Sequence, residues 1–148
     1  DMEEARKSCQ QLLSQPFTLL NYLEGTRFST EKHAQQKSPY KNLLKPKAGG
    51  LALALNILED KIDALVDMTI VYPDGAPGYS EFWLGDVSRI AVHLRKIDIP
   101  DWVRGGNYED DAEYRARFQA WVDQLWTEKD QLITDLKQKF SAEVNTEC

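Results

Sequence analysis

Cysteine and long apolar runs are both scarce in this sequence. Its two cysteines, Cys9 and Cys148, stand near opposite ends of the 148 residues, with no ligand-like spacing around either. We therefore expect neither a disulfide framework nor a metal site, and a reducing compartment is the default. No segment approaches the roughly 20 consecutive apolar residues that a membrane-spanning helix requires, and no signal peptide is visible.

Positive charge is also in short supply, which argues against a nucleic-acid-binding protein. The formal net charge is -6, whereas nucleic-acid-binding domains are usually basic. Segment 24–47 is the exception, because six basic residues and two acidic ones give it a local charge of +4. One basic segment on an acidic body indicates a local anion site, and a lysine-rich solvated loop is the alternative. The basic residues are Arg27, Lys32, Lys37, Lys41, Lys45 and Lys47.

The first third of the chain combines a helical pattern with a short apolar run. Apolar residues at helical spacing begin behind Asp1, a candidate N-cap, and end before Pro16. Phe17–Leu23 is apolar and bounded by turn residues, so we expect a short buried strand there. Gly25–Lys47 is long for a loop without regular structure, and such loops are usually functional or mobile.

Two β-rich segments follow a predicted helix at Ala48–Glu59. Leu65–Tyr72 is rich in β-branched residues and runs into Pro73-Asp74-Gly75, a turn signal. Val87–Ile97 alternates strictly between apolar and polar residues, which is typical of a strand with one apolar face. We expect its polar face, which carries His93, to point outward. The apolar positions are Ile90, Val92 and Leu94, and the polar ones are Arg89, His93 and Arg95.

The last third of the chain predicts a long amphipathic helix that starts near Asp110. Before it, the turn-rich stretch Tyr79–Asp86 carries three consecutive apolar residues. We expect these three, Phe82, Trp83 and Leu84, to pack in the core, and a patch that contacts a membrane is the alternative. The apolar face of the long helix consists of Phe118, Trp121, Val122, Leu125, Trp126, Leu132, Ile133, Leu136 and Phe140.

The stretch Glu24-Gly25-Thr26-Arg27 carries residue types suited to binding a phosphate. Arg27 presents a planar fork that pairs bidentately with phosphate, and Thr26 supplies a hydroxyl donor. Gly25 permits a positive φ and a close backbone approach. Glu24 can pair with Arg27 or a lysine and hold it in position. Lys47 precedes a predicted helix N-terminus, which is itself favourable to anions. The alternatives are a plain turn at Gly25 and a surface ion pair between Glu24 and Arg27.

Taken in order, the motifs of this chain resemble those of the glycerolipid acyltransferases, in particular the 1-acyl-sn-glycerol-3-phosphate (lysophosphatidic acid) acyltransferases. The stretch YLEGTRF is followed by KPKAGGLALAL and then by a strand that ends at Val71-Tyr72-Pro73. The later stretches IAVHLRKIDIP and WVDQLWTEKDQLI extend the similarity over nearly the whole chain.

The resemblance implies a function and a set of partners. It implies that Arg27 holds the acceptor's phosphate, that Glu24, Gly25 and Thr26 shape the same pocket, and that Lys47 assists. The parent protein is then expected to move an acyl chain from acyl-CoA or acyl carrier protein to a lysophospholipid hydroxyl, without a metal or prosthetic group. It is expected at the cytoplasmic face of a membrane, through segments other than this soluble one, with no nucleic-acid partner.

The family's catalytic pair, a His-x4-Asp block before the phosphate motif, is not found ahead of Glu24. His93 and Asp98 have the right spacing but follow that motif, and residues five apart on a strand lie roughly 17 Å apart on opposite faces. Asp98 therefore cannot orient the His93 imidazole, and His33 has no partner at useful spacing.

We accordingly interpret residues 1–148 as a single α/β domain: the C-terminal portion of an acyltransferase sheet flanked by helices, ending in the long helix. On this interpretation the segment contains no catalytic residues and is inactive alone. A non-enzymatic lipid-phosphate-binding or regulatory domain is the alternative.

Overall fold

A computed structural model describes residue 7 and residues 16–58, 61–75, 78–85 and 89–146. The helix predicted for the first fifteen residues, apart from residue 7, lies outside this part of the chain, as do Cys9 and Cys148. The described residues form α-helices and one two-stranded antiparallel sheet, a mixed architecture compatible with the α/β prediction. The elements are α1 (Thr30–Gln36), α2 (Gly49–Leu58), β1 (Leu65–Val71), α3 (Tyr79–Leu84), β2 (Ala91–Ile97), a 3-10 turn (Asp101–Val103) and α4 (Ala112–Thr146).

Helix α4 supplies one side of both apolar clusters. Phe118 and Val122 are fully buried and pack in a cluster with Leu51 and Leu55 of α2. Further along α4, Trp126 and Ile133 pack with three residues from elsewhere in the chain, Tyr40, Leu43 and Val71. Because full burial of such a side chain contributes about 1.5–3 kcal/mol, this stripe holds α4 against the rest of the chain. The predictions of α2 and of a long amphipathic final helix are confirmed.

Strands β1 and β2 pair so that one face of the sheet is mostly apolar and the other carries polar pairs in its middle. Met68 lies opposite Leu94 and Ile70 opposite Val92, whereas the residues between them belong to the other face. That other face, which we call the polar face, carries two polar pairs in its middle, Asp67 with Arg95 and Thr69 with His93, and apolar pairs at its two ends. Helix α4 packs on the polar face, where Lys129 donates to Asp67 and Arg95 donates to Glu128. We call the uncovered side, with Val66, Met68, Ile70, Val92 and Leu94, the open face.

The prediction that His93 points outward is wrong. His93 lies on the covered side of β2, and its Nδ1 is buried without a hydrogen-bond partner among the described residues. Leu94, on the open face, is 64% exposed. The physical reason is that α4 matches this face: Trp126 and Ile133 pack on Val71. Lys129 and Glu128 of α4 pair with the charged residues of the same face. The predicted alternation of apolar and polar residues along β2 is present. The difference is that the rest of the protein covers the side that carries His93, and not the side that carries Leu94.

Two predictions for the segment before α2 are wrong. Phe17–Leu23 forms no strand, because no strand of the described chain pairs with it, and Tyr22 is 74% exposed. The segment Gly25–Lys47 is not a continuous loop, since it contains α1. Ser29 starts this helix by accepting a hydrogen bond from the Lys32 backbone N–H at 3.3 Å. Lys37 ends it in the left-handed conformation, at φ 47°.

The stretch after β1 departs from prediction in a similar way. It forms helix α3, in which Phe82, Trp83 and Leu84 are 58%, 71% and 76% exposed. The prediction that these residues pack in the core is therefore wrong. The alternative, that they contact a membrane, stays a prediction. Across the described part of the chain, no helix combines the length and apolar character needed to cross a bilayer.

Candidate phosphate-binding site

The Glu24–Arg27 stretch forms a tight turn at the surface. The Gly25 backbone N–H donates to the Tyr22 carbonyl at 2.9 Å, and Gly25 adopts φ +66°. This left-handed conformation costs residues with a Cβ roughly 1–2 kcal/mol, so glycine suits the position. Thr26 and Arg27 follow on the exposed side of the turn. Gly25 thus serves as the turn residue that either interpretation of the sequence requires.

Lys47 lies against the same turn, although it is distant in sequence. Its backbone N–H donates to the Leu23 carbonyl at 2.7 Å. A Cβ placed on Gly25 would lie 3.4 Å from the Lys47 Nζ, so the ammonium group packs over the glycine. The structure thereby brings Gly25 and Lys47, two of the predicted site residues, into contact.

A third cation, Lys32, contacts the turn and was not among the predicted site residues. Its Nζ donates to Thr26 Oγ1 at 2.7 Å and to the Arg27 carbonyl at 3.3 Å. Lys32 reaches the turn because α1 begins at Thr30 and places this residue in its first helical turn. The sequence signal was Ser29, a preferred N-cap residue followed by helix formers.

Glu24 does not pair with Arg27 in the structure and points toward the body of the domain. Burial, the largest cause, raises the pKa of its carboxyl, while a hydrogen bond from the Leu44 backbone N–H and the charge of Lys129 act in the opposite direction. The Leu44 carbonyl in turn accepts a hydrogen bond from Trp126 Nε1 at 3.1 Å. Glu24 therefore lies on the side of the turn that faces Leu44 and α4.

The result is a local excess of positive charge around the turn. Arg27, Lys32 and Lys47 form no ion pair with a carboxylate of the described residues, since Lys32 has neutral oxygen partners and Glu24 faces inward. Guanidinium, ammonium and hydroxyl groups bind phosphate oxygens. Here they come from residues of this turn or from lysines in contact with it, since Lys32 bonds to Thr26 and to the Arg27 backbone and Lys47 packs over Gly25. This arrangement is the candidate phosphate-binding site.

Neither histidine is placed to act as a general base with a carboxylate partner. His33 Nε2 lies 2.6 Å from the Tyr40 carbonyl and its ring packs on Phe28, which is a structural position. His93 lies beneath α4, whereas Asp98 is exposed beyond the end of β2. Over residues 16–58, 61–75, 78–85 and 89–146, no group of histidine, cysteine and acidic residues could hold a metal ion.

Comparison with known proteins identifies relatives along most of the chain. It is 31% identical over 136 residues to 2-acyl-1-lysophosphatidylinositol acyltransferase of Saccharomyces cerevisiae, a match that covers 80% of this chain and 32% of the relative. The chain resembles the glycerolipid acyltransferases. Lysocardiolipin acyltransferase 1 of Danio rerio is 26% identical over 135 residues, covering 82% of this chain and 32% of the relative.

A third relative is described as a probable 1-acyl-sn-glycerol-3-phosphate acyltransferase 5 of Arabidopsis thaliana. It is 28% identical over 122 residues, covering 76% of this chain and 30% of the relative. The chain thus spans about a third of the length of these curated acyltransferases. No family model and no solved structure matches it. The resemblance that the sequence motifs predicted is confirmed, and the names of these relatives refer to different acyl acceptors.

Proposed function

We propose that this chain is part of a lysophospholipid acyltransferase and binds the phosphate of the acyl acceptor. The observation that carries the proposal is the turn at Gly25, which gathers donors from Thr26, Arg27, Lys32 and Lys47 with no carboxylate of the described residues paired to them. The similarity to three acyltransferases supports the reaction class. A lysophospholipid carries a phosphate near the hydroxyl that receives the acyl chain, so a phosphate clamp also positions that hydroxyl.

The proposed reaction transfers an acyl group from a thioester, acyl-CoA or acyl carrier protein, to the acceptor. The acceptor hydroxyl oxygen forms an ester bond with the thioester carbonyl carbon, the carbon–sulfur bond breaks, and the hydroxyl proton ends on the departing thiol. The reaction as proposed uses no metal or prosthetic group. The phosphate site contributes orientation, while a general base outside the described residues accepts the hydroxyl proton.

We further propose that the chain is the C-terminal portion of the acyltransferase sheet and that the rest of the protein supplies the base. Two features support this: the relatives are about three times as long as the matched segment, and the open face leaves five apolar side chains uncovered. An apolar sheet face of this kind is normally covered by another layer. The complete protein would work at the cytoplasmic face of a membrane, where its lipid acceptor resides, and the exposed Phe82–Leu84 trio is a candidate contact.

The alternative function is a lipid-phosphate-binding or regulatory domain without chemistry. The same site serves both functions, and the isolated position of both histidines favours this alternative for the chain on its own. The two differ in whether acyl transfer accompanies phosphate binding in the complete protein.

Acyl-transfer assays separate these functions. The complete protein that contains this sequence is incubated with labelled acyl-CoA and lysophosphatidate, lysophosphatidylinositol or lysocardiolipin, and the 148-residue chain is assayed in parallel. We expect product from the complete protein and none above background from the chain alone. Product from the chain alone would contradict the placement of the base elsewhere. Lysophospholipid binding by the complete protein without product, from either acyl-CoA or acyl carrier protein, would establish the non-enzymatic alternative.

A further inference from the structure

We infer that Lys32 is a direct ligand of the bound phosphate and that, with Arg27 and Lys47, it makes the site selective for phosphomonoesters over phosphodiesters. The inference rests on the proposed function and adds the charge class of the acceptor. The names of the three relatives refer to acceptors of both classes, since 1-acyl-sn-glycerol 3-phosphate is a monoester and lysophosphatidylinositol is a diester.

The first argument is the hydrogen-bond geometry of Lys32. An ammonium group has three N–H donors, and Lys32 Nζ uses two of them, on Thr26 Oγ1 and on the Arg27 carbonyl. The third donor is left for a ligand. Because Thr26 Oγ1 accepts from Lys32, its own hydroxyl proton is free to be donated elsewhere. One lysine contact thus prepares two donors beside Arg27.

The second argument is charge. Both oxygen atoms that Lys32 contacts are neutral, so its positive charge is not offset at the turn. The Lys47 ammonium packs over Gly25, and the Glu24 carboxyl is turned toward the Leu44 N–H. A phosphomonoester carries about -1.5 to -2 charges near pH 7 and three terminal oxygens, whereas a diester carries one charge and two such oxygens. Three cationic groups match the monoester better.

The third argument is that Lys32 is held in place before any ligand binds. Its backbone N–H bonds to the capping Ser29 side chain, and its side chain is held by the bonds of Nζ to Thr26 Oγ1 and the Arg27 carbonyl. A side chain that is already ordered loses less conformational freedom on binding. Lys41 offers a contrast: its side chain is exposed, and its hydrogen bond, to Asp130 Oδ2 at 2.8 Å, comes from the backbone N–H and not from Nζ.

A titration of the ¹⁵N-labelled chain tests the inference. The probes are sn-glycerol 3-phosphate, a monoester, and sn-glycero-3-phosphoinositol, a diester, and the readout is the shift of the Gly25 and Thr26 amide signals. We expect the monoester to bind about tenfold more tightly, and Lys32→Met to remove about that factor for the monoester and about threefold or less for the diester. Lys32→Arg should retain most of the preference, and Lys41→Met should change neither affinity.

The pH dependence gives a second readout. The second phosphate ionisation has a pKa of about 6, so the monoester preference should shrink below that pH in the unsubstituted chain. In Lys32→Met the preference should be small at every pH. Equal losses for both esters, or no loss for either, would overturn the role of Lys32 while leaving the phosphate site intact. If neither ester shifts the two amides, or if Arg27→Ala leaves the shifts unchanged, the proposed function itself fails.

Discussion

Arg27 is the residue on which the proposed acceptor site depends most. Its side chain is exposed and makes no ion pair within the described residues, so its structural role is small while its fork suits a phosphate. Charge-assisted hydrogen bonds contribute about 1.5–3 kcal/mol each, and a bidentate clamp makes two.

Arg27→Ala in the complete enzyme should therefore lower kcat/KM for lysophosphatidate by at least about a hundredfold. Arg27→Lys should recover part of this loss, and the melting temperature should change little in either variant. Lys45→Ala, another exposed residue of the basic segment, is the control and should have little effect. If Arg27→Ala unfolds the domain, or if acceptor kinetics stay normal, Arg27 is structural and the phosphate site lies elsewhere.

Glu24 should make stability depend on pH in an unusual direction. Burial raises its pKa above 4.5, so the folded chain binds a proton more readily than the unfolded chain does. The free energy of unfolding therefore falls as pH rises from the ordinary glutamate pKa through the higher folded value, and the ionised carboxyl is penalised above that window. Glutamine keeps an acceptor for the Leu44 N–H and carries no charge.

We expect Glu24→Gln to gain stability relative to the unsubstituted chain as the pH rises from about 4 to about 7, measured by urea unfolding at both values. Because Glu24 is only half-buried, the gain should be small. Glu31→Gln, at an exposed position of α1, is the control and should show no such trend. A relative loss for Glu24→Gln at the higher pH would show that the ionised carboxyl stabilises the turn, opposite to the effect expected from burial.

At the scale of elements, the attachment of the hairpin to α4 is ionic as well as apolar. Lys129 is almost fully buried, and its Nζ lies 2.5 Å from Asp67 Oδ1 and 2.9 Å from the Met68 carbonyl. Arg95 approaches the same aspartate at 3.4 Å and holds Glu128 at 2.6 Å. Removing one member of a buried pair leaves an unsatisfied charge, which costs more than the pair itself contributes.

Lys129→Met should lower the free energy of unfolding by about 1–3 kcal/mol, because Asp67 keeps only its longer contact with Arg95. Combining it with Asp67→Asn should cost less than the sum of the two single changes, since the double variant buries no unpaired charge. Lys139→Met, on an exposed part of α4, is the control. Additive effects of the two substitutions in urea unfolding would mean that this contact does not anchor the hairpin.

At the scale of the whole molecule, the open face stands out because its apolar side chains are exposed. Val66, Met68, Ile70, Val92 and Leu94 lie side by side on two strands with exposed edges, an arrangement that favours association between chains. The proposal that a further layer covers this face in a longer protein predicts that the 148-residue chain is prone to self-association.

Sedimentation of the chain over a range of concentrations should show oligomers, and Leu94→Lys should shift the distribution toward monomer. Gln138→Lys, which adds the same charge on an exposed part of α4, should leave the distribution unchanged. The complete protein should be insensitive to concentration at the same levels. A chain that stays monomeric at high concentration would show that the open face is tolerated in water and needs no covering layer.

Local sequence patterns were sufficient to predict helices α2 and α4 and strands β1 and β2. Each of these rests on the spacing of apolar residues within one segment, and helix or strand geometry follows directly from that spacing. The resemblance to acyltransferases could also be read from residue types in order, whereas phosphate binding by Glu24–Arg27 stays a prediction. Glycine at position 25 permits a positive φ, and the turn uses that freedom at φ +66°.

Contacts formed in the folded chain decided the rest, some across long sequence separations and some within one segment. Strict alternation in β2 does not say which side is covered, and that depended on Lys129 and Glu128 meeting Asp67 and Arg95 across long sequence separations. Lys32 contacts the turn because α1 forms where the sequence predicted a loop, and Ser29 caps the start of this helix. Phe17–Leu23 has the composition of a strand, yet a strand exists only where another backbone pairs with it, and the described chain offers none.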